Sequence, residues 1–320
     1  MDLHSETLLT MEEASQLQLV WKRFRRHRLA LLGAVMLSIF VLAALFAPLL
    51  APPVPRGANT TKVGLLPDPT AIDPINQHLP PGTKGHILGT DEVGRDILSR
   101  LLYGARVSLY VGLMATLGSE SIGAIIGAIS GYYGGVIDTI AMRVTDFMLT
   151  LPLLPILLVL SAMMAGRAPT AFARINYLII ILVAFGWMTS ARLVRGVVLS
   201  LREQEFTEAS KALGASDVRI ILRHMLPNAI APIIVNATLA VGGYIIVEAA
   251  LSFLGFGVQP PTPSWGNMLT RVQDYMFQNP TLAIWPGLCI FLTVLSINFM
   301  GDGLRDALDP RMRSERVGGG

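Results

Sequence analysis

Apolar residues in this chain come in runs too long for the core of an ordinary soluble domain. A helix rises about 1.5 Å per residue and a bilayer core is about 30 Å thick, so a spanning helix needs ~20 apolar residues. Residues 29–50 supply such a run without a charge. Residues 107–130 supply a second, broken only by Glu120, and a third starts near Thr139 and ends at Ala165. The core of a fourth is 177–191, bordered by Asn176 and Arg192. A fifth, 229–251, contains Glu248, and a sixth, 282–300, is uncharged. The pattern predicts an all-α polytopic membrane protein with six transmembrane helices.

The segments between the runs set the orientation. Lys22, Arg23, Arg25, Arg26 and Arg28 stand directly before the first run, and basic residues next to a span favour the cytoplasmic side. With that end inside, sixteen of the 25 Lys and Arg residues lie on the cytoplasmic side, and six of the other nine fall in one long loop, 51–106. Both termini are then cytoplasmic. The first run is too long for a signal-peptide core, and residues 1–28 lead into it as a cytoplasmic segment, so 29–50 reads as an uncleaved anchor. The loop 51–106 is rich in proline, which suits extended backbone. Near its end Ile97, Leu98, Leu101 and Leu102 recur at helical spacing, predicting a short amphipathic helix on the outer surface. A five-helix core, 107–304, and a cytoplasmic tail, 305–320, complete the division.

Composition agrees with a membrane location: 52% of residues are hydrophobic and 15% charged, against about 25% charged in soluble domains. A single cysteine excludes a disulfide framework, and a net charge of +3 gives no support to a nucleic-acid partner. The four lysines, at 22, 62, 84 and 211, never follow a glycine, which excludes a Gly-Lys-Ser/Thr phosphate loop. There is no His-Glu-x-x-His, no Gly-x-Ser-x-Gly elbow and no standard zinc spacing, so neither a metal site nor catalysis by this chain alone is expected.

The longest internal polar segment, 192–228, reads as two short helices around Gly214. Phe206, Ala209 and Leu213 share one face of the first. Gly214 suits the left-handed turn that ends a helix, Ser216 is placed to cap the second, and Asp217 favours its positive end. Val218, Ile221, Leu222 and Met225 follow at i, i+3, i+4 and i+7, with Pro227 expected to stop the run. Such a pair must place its apolar face on the membrane interface, on its own bundle, or in a groove of a partner protein.

Glu208-Ala-Ser-x-x-x-Gly214, followed after nine residues by His224-Met-Leu-Pro227, resembles the EAA loop of ABC importer permeases. That family favours Ala where Ser210 stands and often has Ile at the position of His224. His86-Ile-Leu-Gly-Thr-Asp-x-x-Gly-Arg-Asp96, Asp138-x-x-x-Met-Arg-x-x-Asp146, Leu251-Ser-Phe-Leu-Gly-Phe-Gly257, Pro263-Ser-Trp-Gly266 and the tail from Gly301 to Arg311 are similar to the C-type permease subunit of dipeptide and oligopeptide importers. The resemblance implies the type I importer permease fold (MetI-like) with cytoplasmic coupling helices. Glu208, Ala209, Ser210, Gly214, Ala215, Asp217, Arg219, His224, Leu226 and Pro227 would then form the contact with a separate ATPase. It further implies a bacterial or archaeal inner-membrane location in the lipid bilayer. The implied partners are a homologous B-type permease, an extracytoplasmic peptide-binding protein, and two ATPase subunits that hold the ATP and Mg. No cofactor is expected in this chain. Nickel importers share most of these blocks, which leaves the solute open. An ion-driven secondary transporter is the alternative from another class, but the chain shows no clear internal repeat.

Other residues carry two readings each. A charge at the centre of a span costs about 2.5–3.5 kcal/mol on insertion scales, so Glu120 and Glu248 must face protein or water. They either line the solute path or are neutralised inside the bundle. Gly123, Gly127, Gly131 and Gly135 recur every four residues, as in helix seams in lipid, although a moving gate would use the same spacing. Arg143 and Asp146, at i and i+3, are placed to pair. Pro152, Pro155 and Pro286 predict kinks, or hinges.

Overall fold

The computed structural model describes residues 16–54 and 64–308, and all of its regular elements there are helical. The tip of the proline-rich loop, Lys62 and the end of the tail through Arg311 lie outside the described residues. Helix α1 (Gln16–Phe24) leads into α2 (Arg28–Leu50) through His27, whose Nδ1 accepts the Ala30 N–H at 3.1 Å. Then follow α3 (Ile97–Tyr133), α4 (Gly135–Thr150), α5 (Leu153–Ala165), α6 (Ala171–Ala184), α7 (Met188–Arg202) and α8 (Glu205–Ala212). A short α9 (Asp217–Ile220) passes through a π turn (Ile221–Met225) into α10 (Leu226–Phe253), and α11 (Val272–Tyr275) and α12 (Thr281–Leu308) close the chain. Four stretches are single helices long and apolar enough to cross a membrane: α2, α3, Asp217–Phe253 and α12. Two bent helix pairs pass the same test when taken together, α4 with α5 at 85° and α6 with α7 at 43°. Among the described residues this gives four unbroken candidate crossings, and six when each bent pair is counted as one.

Two boundaries differ from the sequence reading, and the kink expected at Pro152 forms. The amphipathic turn at Ile97–Leu102 is not a separate surface helix but the start of α3. Asp96 explains why: its carboxylate accepts the Ser99 N–H at 2.8 Å and the Ser99 hydroxyl at 2.7 Å, capping the helix ten residues before the apolar run. Ile97 and Leu101 are then buried with Ala44, Ile245 and Trp265. At about 55 Å, α3 exceeds the bilayer core and projects beyond it. The third run breaks at Leu151–Pro152, where a residue preceding proline is held in extended backbone, with ψ at 139°. Pro227 does not stop the second loop helix. The π turn carries the chain past it, and Asp217–Phe253 is one continuous rod.

Helix α3 is the central post. A β-carbon on Gly123, Gly127 or Gly131 would lie under 3.0 Å from the carbonyl oxygens of Trp187, Ala191 and Arg195, so two ladders with the same four-residue step on α3 and α7 touch backbone to backbone. Gly135 is not part of that seam: its side faces open space, and it opens α4 with φ at 55°. Around this post, Val111, Ala115, Leu157, Leu178, Leu182 and Leu251 form one buried cluster near the 51–106 end. Ala128, Val194, Val198, Ile220, Ile221 and Met225 form another at the opposite end. Without a hydrophobic drive between helices in lipid, such close packing of small residues supplies the association energy.

Candidate functional site: a loop hairpin and two buried carboxylates

The hairpin is built from α8 and the start of the Asp217–Phe253 rod. Gly214, with φ at 80°, permits a complete reversal: its N–H donates to the Lys211 carbonyl at 2.9 Å, and the Ala215 N–H to the Ser210 carbonyl at 3.1 Å. The Ser210 hydroxyl turns back onto the Phe206 carbonyl at 2.7 Å, so it sits on the helix without needing a distant partner. Ser216 occupies the cap position, but its side chain makes no cap bond. Asp217 instead accepts the Tyr132 hydroxyl at 2.7 Å. Tyr132 also stacks beneath the Lys211 ammonium, 5.1 Å from its ring centroid, and its carbonyl accepts from Arg202 at 3.3 Å. The end of α3 therefore holds both arms of the hairpin. The Phe206 and His224 rings lie 6.3 Å apart across it, and Asn228 donates to the His224 carbonyl at 2.6 Å.

The apolar residues of the hairpin divide in two. Ile221 and Met225 turn inward with Ile220 against Ala128, Val194 and Val198. Val218 and Leu222, expected on the same face, point outward at 63% and 60% exposure, and Leu213 is 88% exposed. The π turn rotates successive side chains away from the 3.6-residue period, which separates the two sets. Ala209, Ala212, Glu208, Arg219 and Pro227 are also exposed, while Ala215, His224 and Leu226 are half-buried. Nothing among the described residues covers the Leu213–Val218–Leu222 side.

Glu120 and Glu248 sit at different depths. Glu120 is 7% exposed; its carboxylate accepts the Ser190 hydroxyl and the Asn236 amide, both at 2.7 Å. Asn236 reaches it from the wall of a groove of about 560 Å³ that Leu193, Asn228, Pro232, Leu239 and Arg305 also line. Glu248 is 0% exposed and accepts the Ser108 hydroxyl at 2.9 Å and the Ser252 hydroxyl at 2.7 Å. Trp265 seals it, donating its backbone N–H to Ser108 at 3.3 Å and its indole N–H to the Leu101 carbonyl at 3.1 Å. The two carboxylates are thus not brought together.

The Arg143–Asp146 pair does not form. Asp146 pairs with Arg192 on α7, and Asp138 takes a fork from Arg195, Nη2 to Oδ2 at 2.6 Å. Both acids of α4 thereby tie to α7, Asp138 through a two-pronged guanidinium contact and Asp146 through a single one that takes it away from Arg143. Tyr132, Asn236, Ser190, Arg192 and Arg195 are the site residues that sequence reasoning missed. Their signal lies in partners 46 to 116 residues away. Among the described residues no three His, Cys, Asp or Glu side chains gather as a metal site.

A bundle of long apolar helices, two further apolar stretches folded as bent pairs, and an amphipathic hairpin at one end together make the architecture of a multi-pass helical membrane protein. Residues 123–314 match the family described as the binding-protein-dependent transport system inner membrane component, and residues 15–81 match the N-terminal membrane domain of oligopeptide transport permease C. The chain is 42% identical to the dipeptide transport system permease protein of Alkalihalophilus pseudofirmus, over 92% of this chain and 90% of that protein. It is 38% identical to the dipeptide transport system permease protein of Haemophilus influenzae, over 97% and 99%. With the glutathione transport system permease protein of Escherichia coli O1:K1 / APEC it shares 39% over 92% and 90%. The chain belongs to the family of inner membrane components of binding-protein-dependent transport systems.

Proposed function

We propose that this permease is one half of the membrane pore of an ATP-driven importer of di- and oligopeptides, and that its 205–226 hairpin receives the work of a separate ATPase. The observation that carries the reading is the uncovered apolar side made by Leu213, Val218 and Leu222 on a rigidly anchored hairpin. An amphipathic helix with a bare apolar side fits a groove on a partner. The names of the relatives support peptides as the solute class.

In this reading Glu208, Ala209, Ser210, Gly214, Ala215, Asp217, Arg219, His224, Leu226 and Pro227 make up or support the docking surface. Glu120, behind the Asn236 groove, and Glu248, sealed deeper in the bundle, are the two acids of the solute path. Both termini face the cytoplasm, the second half of the pore comes from a homologous B-type permease, and ATP and Mg bind the two ATPase subunits. A peptide-binding protein delivers solute from the other side. Nucleotide contacts in the partner bias the pore between its two accessible states, since only unequal binding to two states can shift them. The test is co-purification of the assembled complex with Leu213→Glu and Leu222→Glu combined. ATPase occupancy should fall at least fivefold while the permease stays in the membrane; full occupancy would overturn the docking assignment.

A further inference from the structure

At the end of the bundle opposite the hairpin, a cavity of about 150 Å³ lies between the 64–96 loop and the segment leading to α12, with Asp91, Glu92, Arg95, Arg100, Gln259 and Arg271 in its wall. Its charges do not balance. Arg95 donates to Asp91 at 2.6 Å and to Glu92 at 3.2 Å, and Asp91 also accepts the backbone N–H groups of Val93 and Arg95. Arg100 reaches the same Asp91 only at 3.5 Å, through Nε. Its Nη1 is buried with no partner among the described residues, and the residue is only 2% exposed. Arg271 stands exposed at the mouth and forms no ion pair among the described residues. Three guanidinium groups thus face two carboxylates, and one of the three keeps an unused donor indoors, which costs free energy until an acceptor arrives.

We propose that this cavity is a subsite for the carboxylate of a small solute, entered from the side opposite the hairpin. A single uncompensated positive charge suits a monoanion, and Asp91 and Glu92 repel a dianion such as sulfate. The planar N–H edge of a guanidinium matches a carboxylate. The volume, equal to about five waters of liquid, holds a carboxylate with a few attached atoms but not a folded protein surface. The source of that carboxylate rests on the proposed peptide reading, since every free peptide carries one at its C-terminus.

The test uses the full complex in lipid nanodiscs, titrated at constant ionic strength with acetate, dialanine, dialanine amide, sulfate and chloride. The readout is the midpoint of thermal unfolding. Acetate and dialanine should raise the midpoint, and dialanine amide, sulfate and chloride should not. Arg271→Gln, at an exposed position, should weaken the acetate response about tenfold, and Arg100→Gln should abolish it if that variant assembles. An equal response to chloride or to dialanine amide, or an unchanged response in Arg271→Gln, overturns the subsite. Uptake of a labelled di- to pentapeptide mixture into proteoliposomes is scored separately. Peptide uptake without any acetate effect sinks the subsite and leaves the peptide reading standing. An acetate effect without peptide uptake does the reverse.

Discussion

The Tyr132 hydroxyl donates to the Asp217 carboxylate at 2.7 Å, joining the end of the central helix to the first turn of the rod that carries the hairpin. Removing that hydroxyl leaves the ring beneath Lys211 and isolates the hydrogen bond. Tyr132→Phe should loosen the hairpin by about 1 kcal/mol, the typical net worth of such a bond. Hydrogen exchange across 205–226 should accelerate roughly fivefold in the assembled complex. Unchanged exchange would show that the aromatic contact alone suffices.

Gly214 holds φ at 80° in the reversal between the two arms. A β-branched residue there costs about 1–2 kcal/mol in left-handed backbone. Gly214→Val should reduce ATPase co-purification severalfold, whereas Gly214→Asn, which tolerates this region, should lie close to the parent. Equal loss in both would point to contact by the glycine surface rather than to conformation.

The seam between α3 and α7 predicts a position-dependent penalty. Gly127→Leu forces a side chain against the Ala191 carbonyl and the start of the next turn, and overpacking of this kind costs about 1–3 kcal/mol. Gly196→Ala, on the open side of α7, meets nothing within 4 Å and should be neutral or slightly stabilising. Thermal unfolding in detergent separates the two, and a neutral Gly127→Leu would contradict the close contact.

Glu248 accepts from two serine hydroxyls and is sealed by Trp265. Glu248→Gln preserves shape but removes one acceptor oxygen, leaving a serine to find another partner. Uptake in proteoliposomes should fall severalfold with complex assembly intact. If assembly and uptake fall together, the carboxylate serves the fold alone.

Asp68 gives a dependence on pH outside the membrane. Burial pushes its carboxyl up, but hydrogen bonds from Val54, Thr70 and Ala71 outweigh burial and hold it below 3.8. A carboxyl lowered in the folded state contributes fully above its unfolded value and loses that contribution as pH falls through its folded value. The tether between residues 54 and 68 should therefore resist proteolysis equally at pH 7 and pH 5 and weaken below 3.8. Asp68→Asn should show the weakened pattern already at pH 7.

Features written locally in the chain are legible in its amino-acid sequence. The four-residue glycine step marks a seam, and Gly214 between two amphipathic patterns marks a reversal, because each depends on neighbours within one or two turns. The apolar runs themselves are legible for the same reason, although two of them fold as bent pairs. What stays hidden depends on distance or on competition between rules. Asp146 has an arginine three residues away, yet Arg192 on another helix offers the better geometry. Pro227 reads as a stop signal, but a π turn absorbs its missing donor. The polar start of α3 reads as loop because Asp96 and Ser99 spend their polarity on capping.

The unbroken Asp217–Phe253 helix has a mechanical consequence. From Asp217 to Glu248 is about 45 Å of rod at the usual rise. No break interrupts it, so in the proposed reading a tilt of the hairpin is passed toward the serine-lined carboxylate on the far side of the lever, less what the π turn and Pro232 absorb. The widened turn at Ile221–Met225 is its most compliant point, and stiffening or deleting one residue there would retune how much of the stroke arrives.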